Sequence, residues 1–490
     1  MFRQLILSIA VSCLTSPLAC AQNEAVPEPD RATLYPAQAV QADFDQLYAG
    51  LREGDYNLFA VTPQAVFDQR FAEMRADFDH PMARFEVQRD FQLFAALARH
   101  GHTRLEFPMD AFDAYRVAGG VAFPVSIRVQ QHGVFVESDA TGLPDIKPGD
   151  EILGFNGLPN SIWMQRLTRH ISAETPILAH TLLEYYLPGL IWIEWPELTS
   201  ATLQVRHADG SESDLVIPFI DRETRAARTE RSVESFSLDG HDAHMITPQI
   251  AYLRPGPFYN DTPGGHAWDT SDFTSFVDAA FEQFLAAGAE RLILDLRDNP
   301  GGDNSFSDPM IAWFADRDFV FASDFSIRVS PESVASNQAR IDAAPAGQAG
   351  PSEQLAALYA GTPIGETVSF ELPMASPRQG ARFDGEVWVL VNRYSFSNAV
   401  NVAALVQDYG FGHVAGETTA DMSTTYGAME HFTLDQTGLQ VGYPKAHIIR
   451  PNGETRSHPV TPDLILDFPA IRGPRDVVLE QLMARLSEDD

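Results

Sequence analysis

The chain has 490 residues, enough for about three domains at roughly 150 residues each. Hydrophobic residues make up 44% and charged residues 21%, the composition of a globular protein rather than a disordered one. The 34 Lys and Arg against 67 Asp and Glu give a net charge of −33, which argues against a nucleic-acid partner and against docking by charge on anionic lipid.

Met1 to Gln4 carries Arg3 and no acid, Leu5 to Leu14 is mostly apolar, and Ala19-Cys20-Ala21 supplies an A-x-A cleavage site. Residues 1–21 therefore read as a signal peptide, and the protein as exported, periplasmic or secreted, in a bacterial envelope. A lipoprotein anchor at Cys20 is disfavoured by Pro17, which stands where such signals carry Leu. No later stretch is apolar and long enough to suggest a membrane span. The only cysteines, Cys13 and Cys20, leave with the signal. The mature chain then has no disulfide, no thiolate metal site and no cysteine nucleophile.

Residues 22–35 are a polar, Pro-containing lead, expected to be disordered. Phe44, Leu47, Tyr48 and Leu51, then Phe67, Phe71 and Met74, then Phe91, Phe94, Leu97 and Ala98 fall at helical spacing. They predict a helical domain over 22–117. From 118 the period becomes two, as in Val125, Ile127 and Val129 and in Val134 and Val136. Asp209-Gly210 sits between two alternating runs and reads as a hairpin. Residues 118–220 are thus a β-rich domain. Within it, Leu187 to Trp195, with Trp192 and Trp195, reads as core or as the lining of a binding surface. Residues 221–245 read as a charged linker, with Arg222, Arg225, Arg228 and Arg231 on one solvated helix face. Strand and helix patterns then alternate over 246–490. Strands are expected at 250–253, 291–296, 387–391 and near Val414. A helix carries Phe273 to Leu285 and ends at Gly288, and another covers 398–409. The Ala-, Pro-, Gly- and Ser-rich stretch 330–362 reads as a mobile insertion or lid.

Three segments carry chemistry. Val387 to Val391 runs through Asn392-Arg393-Tyr394-Ser395-Phe396-Ser397-Asn398 into a helix. A serine at such a turn is either an exposed nucleophile or a helix cap. Leu292 to Leu296 breaks at Asn299-Pro300-Gly301-Gly302, where backbone amides could face an oxyanion, or form an ordinary turn. Arg99-His100-Gly101-His102-Thr103 offers an H-x-H pair, but no third ligand cluster accompanies it and no metal or other cofactor is expected.

Taken together these segments resemble the S41 peptidases, the C-terminal processing (tail-specific) proteases and the tricorn core. Leu292 to Gly302 is similar to LILDLR-x-N-x-GG. The stretch from Val389 through Gln407-Asp408-Tyr409-Gly410 to Thr419 is similar to the strand-SxS-helix segment. Gly149 to Gly157 is similar to a PDZ domain, and Gly101-His102-Thr103 to the end of LGDGHT. The resemblance implies a multidomain α/β fold: an N-terminal helical domain, a PDZ-like domain and a crotonase/ClpP-like catalytic domain over 246–490. It implies a serine endopeptidase acting on peptide or protein substrate, with Ser397 as nucleophile. Gly301 or Gly302 together with Asn398 would form the oxyanion hole. The processing branch places a Lys about 25 residues after the Ser, where this chain has Met422; Lys445 lies in another segment. The tricorn-like branch uses a His, which falls on His102. Its orienting Glu aligns with Arg456, leaving Glu454 as the candidate acid. The alternative implied is a weak or inactive relative that binds peptides or hydrophobic ligands.

Overall fold

The computed structural model describes residues 33–105, 107–229, 240–262, 268–343, 350–471 and 475–488. Residues 1–21, read above as a signal peptide, lie outside the described residues, Cys13 and Cys20 among them. The architecture is multidomain α/β, as the sequence implies. No described helix is long and apolar enough to cross a membrane.

Three helices, Ala37–Gly54, Gln64–Asp77 and Arg84–Ala95, bury Phe44, Tyr48, Phe67, Phe91 and Phe94 at the positions their spacing predicts. That core is not closed by the helices alone. Phe432, Leu434, Leu439, Val441 and Tyr443, more than 300 residues later, belong to it. The sheet that supplies them is antiparallel, ordered 367–369, 324–328, 440–449, 425–433. Arg104–Leu105 adds to it beside Val441 and Gly442. Of the expected disordered lead, Leu34–Tyr35 pairs as a strand with Met82–Ala83.

The β-rich domain is a sheet ordered 125–130, 133–139, 151–155, 200–206, 212–218, with the expected hairpin at Asp209-Gly210. The helix Pro176–Glu194 packs against it and buries Leu187, Leu190 and Ile191. The two ends of this domain are tied together: Ala122 and Ile220 exchange backbone hydrogen bonds of 2.9 and 3.0 Å.

The third sheet carries six strands in the order 242–245, 250–254, 291–295, 386–391, 413–416, 464–465. All neighbours are parallel except the first pair. Helices Ser271–Ala287 and Asn398–Tyr409 bury one of its faces, and Val477–Glu488 the other. Gly288 ends the first helix at φ 73°, a left-handed conformation that glycine adopts without strain. The signature Arg297 binds Asp295 and Asp476 through paired contacts, fastening strand 291–295 to the C-terminal helix.

Two expectations change. The 221–245 stretch is not a free linker: it contributes the edge strand 242–245 to the six-stranded sheet. Its helix Arg222–Thr229 is not wholly solvated either. Arg225 donates to the carbonyl of Phe123, and Arg228 to that of Ala140 at 2.8 Å, because these main-chain acceptors at the sheet's margin need donors. Arg231 lies outside the described residues. The supposed mobile insertion is two helices, Pro331–Ala343 and Gly350–Gly361. Leu355 and Tyr359 are buried against Ile327, Phe370 and Ile448, and Arg340 reaches Glu430 at 2.7 Å. Alanine-rich composition signals helix as readily as flexibility once a few large apolar residues have a sheet to cover.

Candidate active site

Parallel neighbours in the six-stranded sheet send their following loops to one edge. Strand 291–295 delivers Asn299, Gly301 and Gly302 there; strand 386–391 delivers Ser395 and Ser397; strand 413–416 delivers Asp421. This carboxyl edge is where open parallel sheets collect ligands.

Ser397 stands between strand 386–391 and helix Asn398–Tyr409 with φ 52° and ψ −121°. A non-glycine residue there costs on the order of 1–3 kcal/mol and persists only if its surroundings impose it. The surroundings do. The Phe396 amide donates to Asn299 O at 3.0 Å, and the Ser397 amide to Asp421 Oδ2 at 2.6 Å. Asn398 Nδ2 donates to Ser307 Oγ at 3.1 Å. The Ser397 hydroxyl makes no capping bond, so its presence at the helix start is not explained by capping. Ser395, two residues earlier, is a structural residue: fully buried, its Oγ donates to Leu296 O at 2.8 Å and accepts from the Asn392 amide.

The double-glycine turn presses on this elbow. A Cβ at Gly301, whose φ is 81°, would lie 2.5 Å from Phe396 O and 2.7 Å from Asn398 N. A Cβ at Gly302, at φ 140°, would lie 2.1 Å from Phe258 O. Only glycine fits either place. The two amides differ. That of Gly301 donates to Asn299 Oδ1 at 2.8 Å. Those of Gly302 and Asn398 have no hydrogen-bond acceptor among the described residues.

His102 reaches the site because Arg104–Leu105 is stitched to strand 440–449, while His100 N donates to Ser172 Oγ at 3.0 Å. The His102 ring is 3% exposed and stacks on Phe396, the residue before Ser397, at 5.2 Å between centroids. Burial, then the Arg104 and His100 charges, lowers its pKa to about 3. Its Nδ1 is buried with no hydrogen-bond partner among the described residues. His100 is bound elsewhere, to Thr103 Oγ1 and, at 3.5 Å, to Asp55. Among the described residues no cluster of three or more His, Cys, Asp or Glu side chains is arranged to hold a metal.

The candidate acid Glu454 is not brought to His102. Its carboxylate pairs with Arg456 on the surface at 3.1 Å, and that bond holds its pKa low, at about 2. The short loop after strand 440–449 keeps both residues in solvent, where a neighbouring guanidinium is the better partner. Met422 is buried and bridges to Pro459, in the place where the processing branch would have its Lys. Lys445 is buried in an ion pair with Glu430 and is no free base. The sequence reading missed two other acids. Asp421 is fully buried, with Oδ2 on the Ser397 amide and Oδ1 unpartnered. Glu174, just before helix Pro176–Glu194, accepts the Gly101 amide at 3.1 Å. Asp421 sits next to the position of the missing Lys and could have been suspected; Glu174 belongs to no pattern.

The β-rich domain is clamped to this edge. Arg393, four residues before Ser397, binds Glu417 at 2.9 Å, Glu184 at 3.1 Å and the Val129 carbonyl at 2.8 Å. Arg128 joins Glu417 at 3.0 Å, and Tyr394 donates its hydroxyl proton to Glu184. An apolar cleft opens beside Gly101 and Phe396, walled by Leu105, Phe107, Leu182 and Leu190.

Residues 249–466 match the family model described as peptidase family S41. Among solved structures the fold is similar to that of mature CPAF, with 14% identity and a TM-score of 0.64, covering 93% of this chain and 98% of that one. It is likewise similar to mature CPAF complexed with lactacystin, at 14% identity, TM-score 0.66 and coverage of 93% and 99%. No curated protein matches the sequence. The glycine turn, the serine elbow and five of the six strands of the sheet that carries them lie inside the residues that match this peptidase family.

Proposed function

We propose that the protein is an exported endopeptidase that cleaves peptide bonds through an acyl-enzyme on Ser397, with His102 as general base. His102 Nε2 takes the Ser397 hydroxyl proton as Oγ attacks the substrate carbonyl carbon. The imidazolium then gives that proton to the leaving amine nitrogen, and water, deprotonated in the same way, releases the acyl group. The carbonyl oxygen, negative in the tetrahedral intermediate, is received by the Gly302 and Asn398 amides. The Gly301 amide is spent on Asn299, so Gly301 serves by its shape. The N-terminus of helix Asn398–Tyr409 adds favourable potential at the same point.

The observation that carries this reading is Ser397 itself: a strained, uncapped serine whose preceding residue, Phe396, stacks on the buried His102 imidazole. The β-rich domain is assigned as PDZ-like, which would take an extended peptide along a strand. Export rests on the N-terminal sequence. The test is labelling by a fluorophosphonate probe. Wild type is expected to label and hydrolyse a peptide, and Ser397→Ala to do neither at an unchanged melting temperature. Labelling retained in Ser397→Ala would move the nucleophile. The low basicity of a buried His102 favours a second reading, a slow or inactive relative; absence of labelling in the folded wild type would support that one instead.

A further inference from the structure

Two carboxyl groups flank the catalytic couple, one on each side. Glu174 accepts the amide of Gly101, the residue before His102, through both oxygens at 3.1 and 3.2 Å. Asp421 accepts the amide of Ser397 at 2.6 Å. The two come from different parts of the chain: Glu174 from the β-rich domain, Asp421 from the loop after strand 413–416. They are close enough for the charge on one to act on the other. Neither has an ion-pair partner among the described residues. The charged groups around them are committed or point to His102. Arg104 donates to Gly101 O at 2.7 Å, His100 faces Asp55, and Arg393 is held by Glu417 and Glu184. His180 and Glu417 lie on the adjoining elements.

Two buried carboxyl groups without a cation do not both ionise; between them they keep one proton and one negative charge. A buried His102 has the opposite difficulty, since its imidazolium needs a negative partner and Glu454 is not there. In the same site one donor, His102 Nδ1, and one acceptor, Asp421 Oδ1, are left unpaired in the interior. Resting on the Ser397/His102 reading, we propose that Glu174 and Asp421 act as one positioning pair. They fix the backbone on both sides of the catalytic couple and supply the single negative charge that the His102 imidazolium requires. The acid which relatives take from the segment near Glu454 is thus replaced by a pair that spans two domains. Docking of the β-rich domain then becomes a condition of catalysis, because it carries half of the pair.

In charge terms, burial first and the Asp421 charge second raise the Glu174 pKa. Burial raises that of Asp421, against the lowering effect of the Ser397 and Met422 amides. Activity is therefore expected to switch on, with rising pH, above the ordinary carboxyl range near 4. Glu174→Gln and Asp421→Asn keep shape and hydrogen-bond acceptors but remove one carboxyl. In the one-charge state the neighbour is protonated, so its removal relieves no repulsion, and the survivor still supplies one charge above its own ionisation. In each single variant the acid limb of kcat should stay or move up, and kcat on the plateau above it should remain within about tenfold of wild type, with KM nearly unchanged. The double variant carries no charge, and its kcat should fall by at least about 10²-fold. A single variant as impaired on its plateau as the double one would overturn the proposal, as would a double variant at wild-type rate. If the double variant does not fold, the single variants decide alone: an acid limb kept in both supports the pair, and a limb lost or moved down in either overturns it. Ser397→Ala runs alongside. Activity surviving in it refutes the Ser397 reading, whereas an inactive Ser397→Ala with a double variant at wild-type rate refutes only the carboxyl pair.

Discussion

At the scale of single residues, two serines two positions apart have opposite fates. Ser395 holds the turn by two buried hydrogen bonds, while Ser397 is held by it. Ser395→Ala leaves the Leu296 carbonyl and Asn392 amide short of a partner, so it should lower stability by about 1–3 kcal/mol. Peptidase activity should persist wherever the variant is folded; paired melting and kinetic curves check both halves. His102 makes a second prediction. Its imidazole stays neutral in the folded chain down to about pH 3, whereas the unfolded chain binds a proton below about 6.5. Its contribution to stability is thus complete above pH 6.5 and is lost as pH falls from there. His102→Gln should flatten the decline of melting temperature between pH 7.5 and 5. An identical slope in the two proteins would refute the buried, neutral assignment.

At the scale of elements, the elbow and the glycine turn form one object. Gly301→Ala would drive a methyl group into Phe396 O and Asn398 N, and alanine resists φ 81°. Displacing the elbow by even about 1 Å should reduce fluorophosphonate labelling by roughly 10²-fold, with the fold retained in circular dichroism. The helical pair 331–343 and 350–361 makes a different point. It is anchored through Arg340 to Glu430, which also binds Lys445. Lys445→Met strips a buried carboxylate of one cation and should cost about 3 kcal/mol or more by denaturant titration. Turnover per folded molecule should stay within a few-fold of wild type. A large loss of turnover at full stability would instead restore a lysine base.

At the scale of the whole molecule, the catalytic domain does not stand alone. A chain beginning at residue 246 lacks the edge strand 242–245 and uncovers Phe432, Leu434, Val441 and Tyr443. We expect that fragment to be unfolded or aggregated by circular dichroism and sedimentation; a soluble fragment with a cooperative melt would contradict this. The β-rich domain is different, since Ala122 and Ile220 already lie side by side. Joining them by a short linker should give a folded protein. It also removes Glu184, Arg128 and Glu174 from around Arg393 and Gly101. Labelling of Ser397 should therefore slow by at least about tenfold.

What the sequence determined by itself was local and periodic. The helical stripe around Phe44, the alternation from Val125, the buried strand 291–295 and the glycines after it are statements about neighbours along the chain, and the structure keeps them. Ser397 and His102 stood out as candidates because their segments resemble a known family, and the α/β class was legible in the same way. What only the tertiary structure decided was which distant groups meet. The helical core needs Tyr443; the edge strand comes out of an apparent linker; Ala-rich residues 331–361 become packed helices. Glu454 lies two residues from the place where the family's acid aligns but pairs with Arg456 at the surface, while Glu174 carried no pattern and, with Asp421, bonds the backbone next to His102 and at Ser397. The reason is physical. Periodicity records which face of an element is buried, but a buried charge is chosen by what surrounds it in three dimensions, and that arrangement has no period along the chain.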